Sequence, residues 1–281
     1  MKVIRGIREI SFFLRDVKAK GKSIALVPTM GALHSGHLEL VREARALADI
    51  VILTIFVNPT QFSAGEDLES YPQDIDSDLE KARGAGVDVV FTPAAKEMYP
   101  DGFQTEVSIC GLQEHLCGLS RPGHFTGVAT VVLKLFNITA PDWAVFGEKD
   151  FQQLLIIRQM TRDLNLGVEI IGVDTVREPD GLAMSSRNRY LSKEEREAAA
   201  ALPRALQRAA ALYREGEQEA GVLISAVEEI LRAQRLIKPE YVKVVDASTL
   251  ENITFLSGRG AALIQAAVQV GRARLIDHIL I

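Results

Sequence analysis

Apolar residues in the first 175 positions gather in short runs that alternate with amphipathic stretches. The runs at 24–27, 50–57, 87–91, 143–146 and 168–173 are rich in Val and Ile and predict strands. The segments 37–48, 75–83, 128–138 and 151–164 place apolar residues at helical spacing. Strands this continuously apolar are buried on both faces, and their alternation with helices predicts an α/β fold with a doubly wound parallel sheet. After about residue 175 the pattern changes. A loop with Pro179, Gly181 and Asn188 leads into helical segments at 193–214 and 220–234, then strand-like runs at 241–245, 261–270 and 274–281. Helices followed by strands predict a smaller α+β domain over 176–281, after a first domain over 1–175.

A doubly wound sheet binds ligands beyond the carboxyl ends of its strands, and chemistry-bearing residues collect there. After the run at 24–27 comes Pro28-Thr29-Met30-Gly31-Ala32-Leu33-His34-Ser35-Gly36-His37, which opens a helix. His34 and His37 share one face of its first turn, and Gly36 between them allows close approach to the backbone. A helix start presents N–H groups and partial positive charge, so it favours an anion. His-x-Gly-His has the form of the nucleotidyl-transferase signature. The segment therefore predicts a nucleotide triphosphate site whose donors stabilise charge at the α-phosphate. Zinc is disfavoured, because neither cysteine lies near in sequence.

Other segments add to this edge. Asn58-Pro59-Thr60-Gln61-Phe62 ends the second strand, and the Gln61 amide suits a substrate with hydroxyl and carboxylate groups. Gly147-Glu148-Lys149-Asp150 follows a later strand. Lys149 there can reach phosphate or a carboxylate, and Asp150 is placed to cap the next helix. Gln152 and Gln153 open that helix, one expected to face the site and the other away. Met184-Ser185-Ser186-Arg187 offers hydroxyls and a guanidinium for the β- and γ-phosphates. It resembles the Lys-Met-Ser-Lys-Ser loop of class I synthetases, with Ala183 and Ser186 where the lysines would stand, so Lys149 and Arg187 would supply the charge. Arg121 and His124 are candidates for a cationic lip, with an ordinary loop as the alternative. His115 and His278 read as structural. Asp74, Asp76 and Asp78 read as an acidic helix start that favours the helix dipole, with Mg²⁺ coordination the alternative for Asp78.

Composition narrows the ligand. The chain is 47% hydrophobic and 25% charged, as expected of a soluble globular protein. A formal net charge of −5 argues against a broad nucleic-acid surface and for a small anionic ligand. The apolar run at 131–136 is short and carries Lys134, so no membrane span is expected. Residues 1–6 lack a signal-peptide core, and two cysteines, Cys110 and Cys117, make no disulfide framework. A cytoplasmic location is expected.

Taken together, residues 28–37, 57–62, Tyr71-Pro72, Met98-Tyr99-Pro100, 121–127, 146–153 and 176–190 resemble the pantothenate synthetase (pantoate–β-alanine ligase) family, nucleotidyltransferases with the His-x-Gly-His signature. The resemblance spans nearly the whole chain. It implies a Rossmann-like N-terminal domain, a smaller C-terminal domain and a homodimer. It also implies the reaction: ATP and pantoate give pantoyl adenylate and pyrophosphate, and β-alanine then displaces AMP to give pantothenate. Mg²⁺ would accompany ATP. Carried over by motif, Met30, Gly31, Ala32, Leu33, His34, Ser35, Gly36 and His37 would line the ATP site, with His37 as the assigned proton donor. Gly147, Glu148, Lys149, Asp150, Val176, Met184, Ser185, Ser186 and Arg187 would complete the nucleotide contacts. Gln61 would touch pantoate and β-alanine, and Gln153 pantoate. His34, His37 and Lys149 are the catalytic candidates. The signature alone leaves open another small-molecule nucleotidyltransferase, an inactive nucleotide-binding regulatory module and a tRNA-aminoacylating enzyme. The sequence names no base for the β-alanine amine and no protein ligand for Mg²⁺.

Overall fold

The computed structural model describes residues 1–63, 65–257 and 261–281. Its contacts divide the chain into two compact units: residues 1–148 with 152–174, and residues 149–151 with 175–281.

The first unit is built on strands β1 (Lys2–Ile4), β2 (Ile24–Thr29), β3 (Ile50–Ile55), β4 (Val89–Phe91), β5 (Trp143–Gly147) and β6 (Glu169–Val173). They form one sheet in the order β1-β4-β3-β2-β5-β6, and every adjacent pair is parallel. The helices are α1 (Ile7–Ala19), α2 (Ser35–Leu47), α3 (Ile75–Gly84), the short α4 (Ala95–Met98) and α5 (Cys117–Ser120), α6 (His124–Thr139) and α7 (Phe151–Asp163). The expected doubly wound architecture is present. Ile24, Ala25, Leu26 and Val27 of β2 and Val51, Ile52 and Leu53 of β3 are fully buried, as strands covered on both faces must be. β1 and α1 lay outside the strands and helices expected from the pattern. The signal for α1 was nonetheless present: Ile10, Leu14 and Val17 form its buried stripe at helical spacing. From β2 the chain adds β3 and β4 on one side, then β5 and β6 on the other. The order therefore reverses between β2 and β5, and the crevice beyond their carboxyl ends is the place where this architecture takes ligands.

The second unit contains α8 (Lys193–Ala199), α9 (Ala201–Arg214) and α10 (Ala220–Arg232), followed by β7 (Ile237–Asp246), β8 (Ala262–Val270) and β9 (Ala273–Leu280). These strands pair antiparallel in that order. Leu202, Leu206, Leu223, Val227, Leu231, Ile264 and Val268 belong to their shared core. The single helical segment expected over 193–214 is two helices. Pro203 has no N–H to give the Ala199 carbonyl, so the hydrogen-bond ladder breaks at Ala200. Among the described residues no helix is long and apolar enough to cross a membrane.

β9 carries two buried ionisable side chains. Asp277 accepts from Arg177 Nη1 at 2.7 Å and Nη2 at 3.0 Å. His278 is buried beside the Phe151 ring, with centroids 5.3 Å apart. Burial pushes the His278 imidazole below its usual value against a smaller opposing pull from Asp277, because a buried site disfavours the charged form. As pH falls below about 6.5 the unfolded chain takes up this proton, while the folded protein resists it. The unfolded state then binds more protons, so stability falls with falling pH. The urea midpoint is expected to drop between about pH 7.5 and about pH 5.5, and His278→Asn to flatten that part of the curve. An identical slope in the variant would refute the assignment.

Candidate active site

β2 leads into α2 through residues 30–34. Gly31 sits at φ +84°, a left-handed conformation that glycine adopts without strain. A Cβ there would lie 2.9 Å from Asp78 Oδ2 and 3.1 Å from Ile55 Cγ2. The steric need for glycine in this turn is therefore at Gly31. Ala32 follows with φ +51°, so the left-handed bend runs through a second residue. A cavity of about 410 Å³ opens beside the turn, its wall including Met30, Gly31, Phe56 and Asp78, a volume that suits a small organic molecule.

The backbone donors of this turn are committed inside the protein. Gly31 N–H donates to Thr29 Oγ1 at 3.2 Å, Ala32 N–H to Asp78 Oδ2 at 2.8 Å and Leu33 N–H to Asp78 Oδ1 at 2.7 Å. His34 N–H donates to His37 Nδ1 at 3.3 Å. The amides of residues 31–34, just before the helix, are thus already satisfied, and the helix start adds the side chains of Ser35 and His37 to that of His34. His34 is the N-cap of α2, and its ring lies 4.0 Å from that of His37, centroid to centroid. Since His37 Nδ1 accepts a hydrogen bond, its proton resides on Nε2, which makes Nε2–H a donor.

Asp78 is not a solvated dipole partner. It is buried, and both its oxygens accept from the turn. Asp74 is the N-cap of α3 and accepts from Ser77 N–H at 3.1 Å. Among the described residues no group of three or more His, Cys, Asp or Glu is arranged to hold a metal ion.

Gln61 closes a 3₁₀ turn, Pro59–Gln61, after β3. Its Oε1 accepts from Asn58 Nδ2 at 3.0 Å, and its Nε2 donates to Met30 Sδ at 3.2 Å. The motifs after β2 and β3 therefore meet. Asn58 is itself held by the Tyr99 hydroxyl at 2.8 Å and donates to Gly127 O at 3.1 Å. Tyr99 belongs to the Met98-Tyr99-Pro100 motif of the family, and no local pattern marks it as a support for Asn58. His124 Nδ1 donates to Gln61 O at 2.8 Å, so His124 Nε2 is the acceptor for Arg121 Nη1 at 3.0 Å. Arg121 also binds both oxygens of Glu66 at 2.6 Å. Burial raises the Glu66 pKa, but the bonds and charge of Arg121 outweigh it and leave the carboxyl below its ordinary value. Arg121 and His124 thus brace Gln61 from behind instead of forming a loose cationic lip.

Of the two glutamines in α7, Gln152 is buried. It accepts from Cys117 N–H at 3.0 Å and donates to Leu112 O at 2.9 Å and His115 O at 2.7 Å. Gln153 is the more exposed of the two. Cys110 is exposed, Cys117 is buried, and neither forms a disulfide.

Gly147 ends β5 and Glu148 follows it in the first unit, whereas Lys149 and Asp150 group with the second. Lys149 Nζ lies 3.5 Å from Asp150 Oδ1. Val176 and Met184 face each other, with Met184 N–H donating to Val176 O at 2.9 Å beside a bridge between Arg177 and Ala183. Ser185 Oγ accepts from Arg187 N–H at 3.3 Å. Asn188 donates to Glu178 at 2.7 Å, and Arg196 of α8 binds Glu178 at 2.6 Å and Asp180 at 2.9 Å. The serine-arginine loop is therefore fastened within its own unit by a bridge and a charged cluster.

The family described as pantoate-beta-alanine ligase matches residues 2–280 of this chain. A pantothenate synthetase of Moorella thermoacetica is 51% identical over 281 residues, covering 100% of this chain and 99% of the relative. The crystal structure of a pantothenate synthetase from Thermus thermophilus superposes with a TM-score of 0.93 at 43% identity, over 99% of each chain. A pantoate-beta-alanine ligase from Francisella tularensis, solved with beta-gamma ATP and beta-alanine, gives 0.82 at 34% identity over 100% of this chain and 97% of that one.

Gly127 of α6 faces the Gln61 turn closely: an added Cβ would collide with Thr60 O and lie 2.7 Å from Gln61 N. Gly127→Ala is expected to cost about 1–3 kcal/mol, the scale of forced overpacking. A lowered urea midpoint and a displaced Gln61 amide resonance would report it. A spectrum unchanged at Gln61 would show that the turn is not set by this contact.

Proposed function

The chain belongs to the pantoate-beta-alanine ligase family, and from that premise we propose that it joins pantoate to β-alanine with ATP, through pantoyl adenylate. The observation that carries the reading is the pair His34 and His37 at the start of α2, at the reversal point of the sheet, with Met30 of the same turn bonded to Gln61. A pantoate carboxylate oxygen attacks the α-phosphorus of ATP, the Pα–O bond to the β-phosphate breaks, and pyrophosphate leaves with the electron pair. Charge grows on the phosphate oxygens. The His37 Nε2–H, fixed as a donor by the bond at Nδ1, is suited to stabilise it. This role is hydrogen bonding to phosphate; it does not require a charged imidazole. His34 and Lys149 share the task. Residues 30–37, 147–150, Val176 and Met184, Ser185, Ser186 and Arg187 make the ATP contacts, and Gln61 and Gln153 those to pantoate, Gln61 also touching β-alanine.

In the second step the β-alanine amine attacks the acyl carbon of the adenylate. AMP leaves, and the amine nitrogen loses a proton to water or to a neighbouring group. Residues 1–175 serve ATP and pantoate, and 176–281 act as the lid that excludes water from the adenylate. ATP arrives as its magnesium complex, a substrate in itself. A homodimer in the cytoplasm completes the reading, as the family resemblance implies.

With ATP and pantoate alone, one pyrophosphate per site is expected, and AMP release only after β-alanine is added. AMP formation that ignores both substrates would overturn the ligase reading. His37→Ala is expected to slow adenylate formation roughly 10²–10³-fold, the scale for one lost transition-state donor. Lys149→Ala should lose a comparable factor in the same step, measured by single-turnover quench. A normal adenylate rate in either variant would remove that residue from the chemistry.

A further inference from the structure

Asp78 is a buried carboxylate on the wall of the cavity beside the turn, and it lies in α3, outside every motif at the strand ends. Its two oxygens take the N–H groups of two consecutive residues, Ala32 at 2.8 Å and Leu33 at 2.7 Å. One turn further along α3, Lys81 Nζ donates to the carbonyl of the same Leu33 at 3.0 Å. Leu33 is fully buried, and Ala32, at φ +51°, holds a conformation that a residue with a Cβ rarely takes. The peptide groups on both sides of Leu33 are thus gripped from one helix, a carboxylate on the donors and an ammonium on the acceptor. The next residue is His34, whose N–H engages His37 Nδ1.

We propose that Asp78 and Lys81 are positioning residues for adenylate formation: together they clamp the turn that sets where α2 begins, and with it the placement of the His34 and His37 rings. The inference rests on the reading of His34 and His37 as donors to the α-phosphate. Asp78 touches no reacting atom and acts through the backbone of 32–34. Transition-state donors must stand within a fraction of an ångström of their productive place, and a displacement of about 1 Å can cost roughly 10²-fold. The attack of β-alanine on the preformed adenylate makes a smaller demand on the two imidazoles, since the triphosphate has gone.

The test is a split between the half-reactions. Asp78→Asn keeps the volume but turns an NH₂ toward one of the two backbone donors. Lys81→Met keeps the stem and removes the bond to Leu33 O. Pyrophosphate release from ATP and pantoate in a single turnover is compared with pantothenate formation from chemically prepared pantoyl adenylate and β-alanine. Asp78→Asn is expected to slow the first roughly 10²-fold and leave the second within about two-fold. Lys81→Met should show the same split at smaller size. Asp74→Asn, at the N-cap of the same helix, controls for damage to α3 and should leave both steps nearly unchanged. Equal losses in both half-reactions would mean a structural role only and overturn the proposal, as would an unaltered first step. If the wild-type protein releases no pantoate-dependent pyrophosphate, the ligase reading itself fails, an outcome distinct from either. Should Asp78→Asn not fold, Lys81→Met carries the same comparison alone.

Discussion

A carboxylate in the interior is costly unless its oxygens are fully engaged, and the turn between β2 and α2 depends on one that is. Without Asp78 the Ala32 and Leu33 N–H groups would be buried with nothing to receive them, in a segment whose side chains are excluded from solvent. Hydrogen bonds to a charged acceptor contribute about 1.5–3 kcal/mol each, and leaving such donors unmet costs on a similar scale. The carboxylate and the left-handed turn therefore stabilise each other. Glycine at 31 is part of the same arrangement, since any Cβ there would collide with Asp78 Oδ2.

This alters how the histidine motif is understood. A helix start invites an anion through the amides of its first turn, and the four amides that precede it, those of residues 31–34, are engaged inside the protein. Both imidazoles stand at that helix start, with the His37 tautomer defined by an internal hydrogen bond. The glutamine on the neighbouring strand end is held in the same manner. Asn58, His124 and Met30 each take one of its polar atoms, and Arg121 and Glu66 stand behind His124. In both places side chains from helices and loops distant in sequence orient a strand-end residue, so rigidity comes from polar bonds closed inside the first unit. The second unit follows the same rule at Asp277, where Arg177 at the base of the serine-arginine loop meets a carboxylate on β9.

Much of this was legible in the chain. Continuous apolar runs alternating with amphipathic stretches identified five of the six strands of the parallel sheet. The spacing of His34, His37 and Gln61 relative to those runs placed them at the carboxyl edge. Local chemistry misjudged what depends on partners. Three acidic residues before a helix look alike in sequence, but Asp74 caps, Asp78 is buried against the turn, and only the fold tells them apart. Arg121 and His124 look like a basic lip until Glu66 and the Gln61 carbonyl are seen opposite them. The break at Ala200 was readable from Pro203 alone, since a missing N–H is a local property.

By itself, then, the sequence determined the periodicities, the sheet class and the place of the histidine pair at a helix start, because these follow from backbone sterics and side-chain chemistry within a few residues. Only the tertiary structure decided which donors are already satisfied, which tautomers His37 and His124 adopt, and which of the acidic side chains serves the turn. For the turn donors and His124 those outcomes are set by partners 45, 46 and 63 positions away, and a hydrogen bond exists only where folding brings both of its ends together.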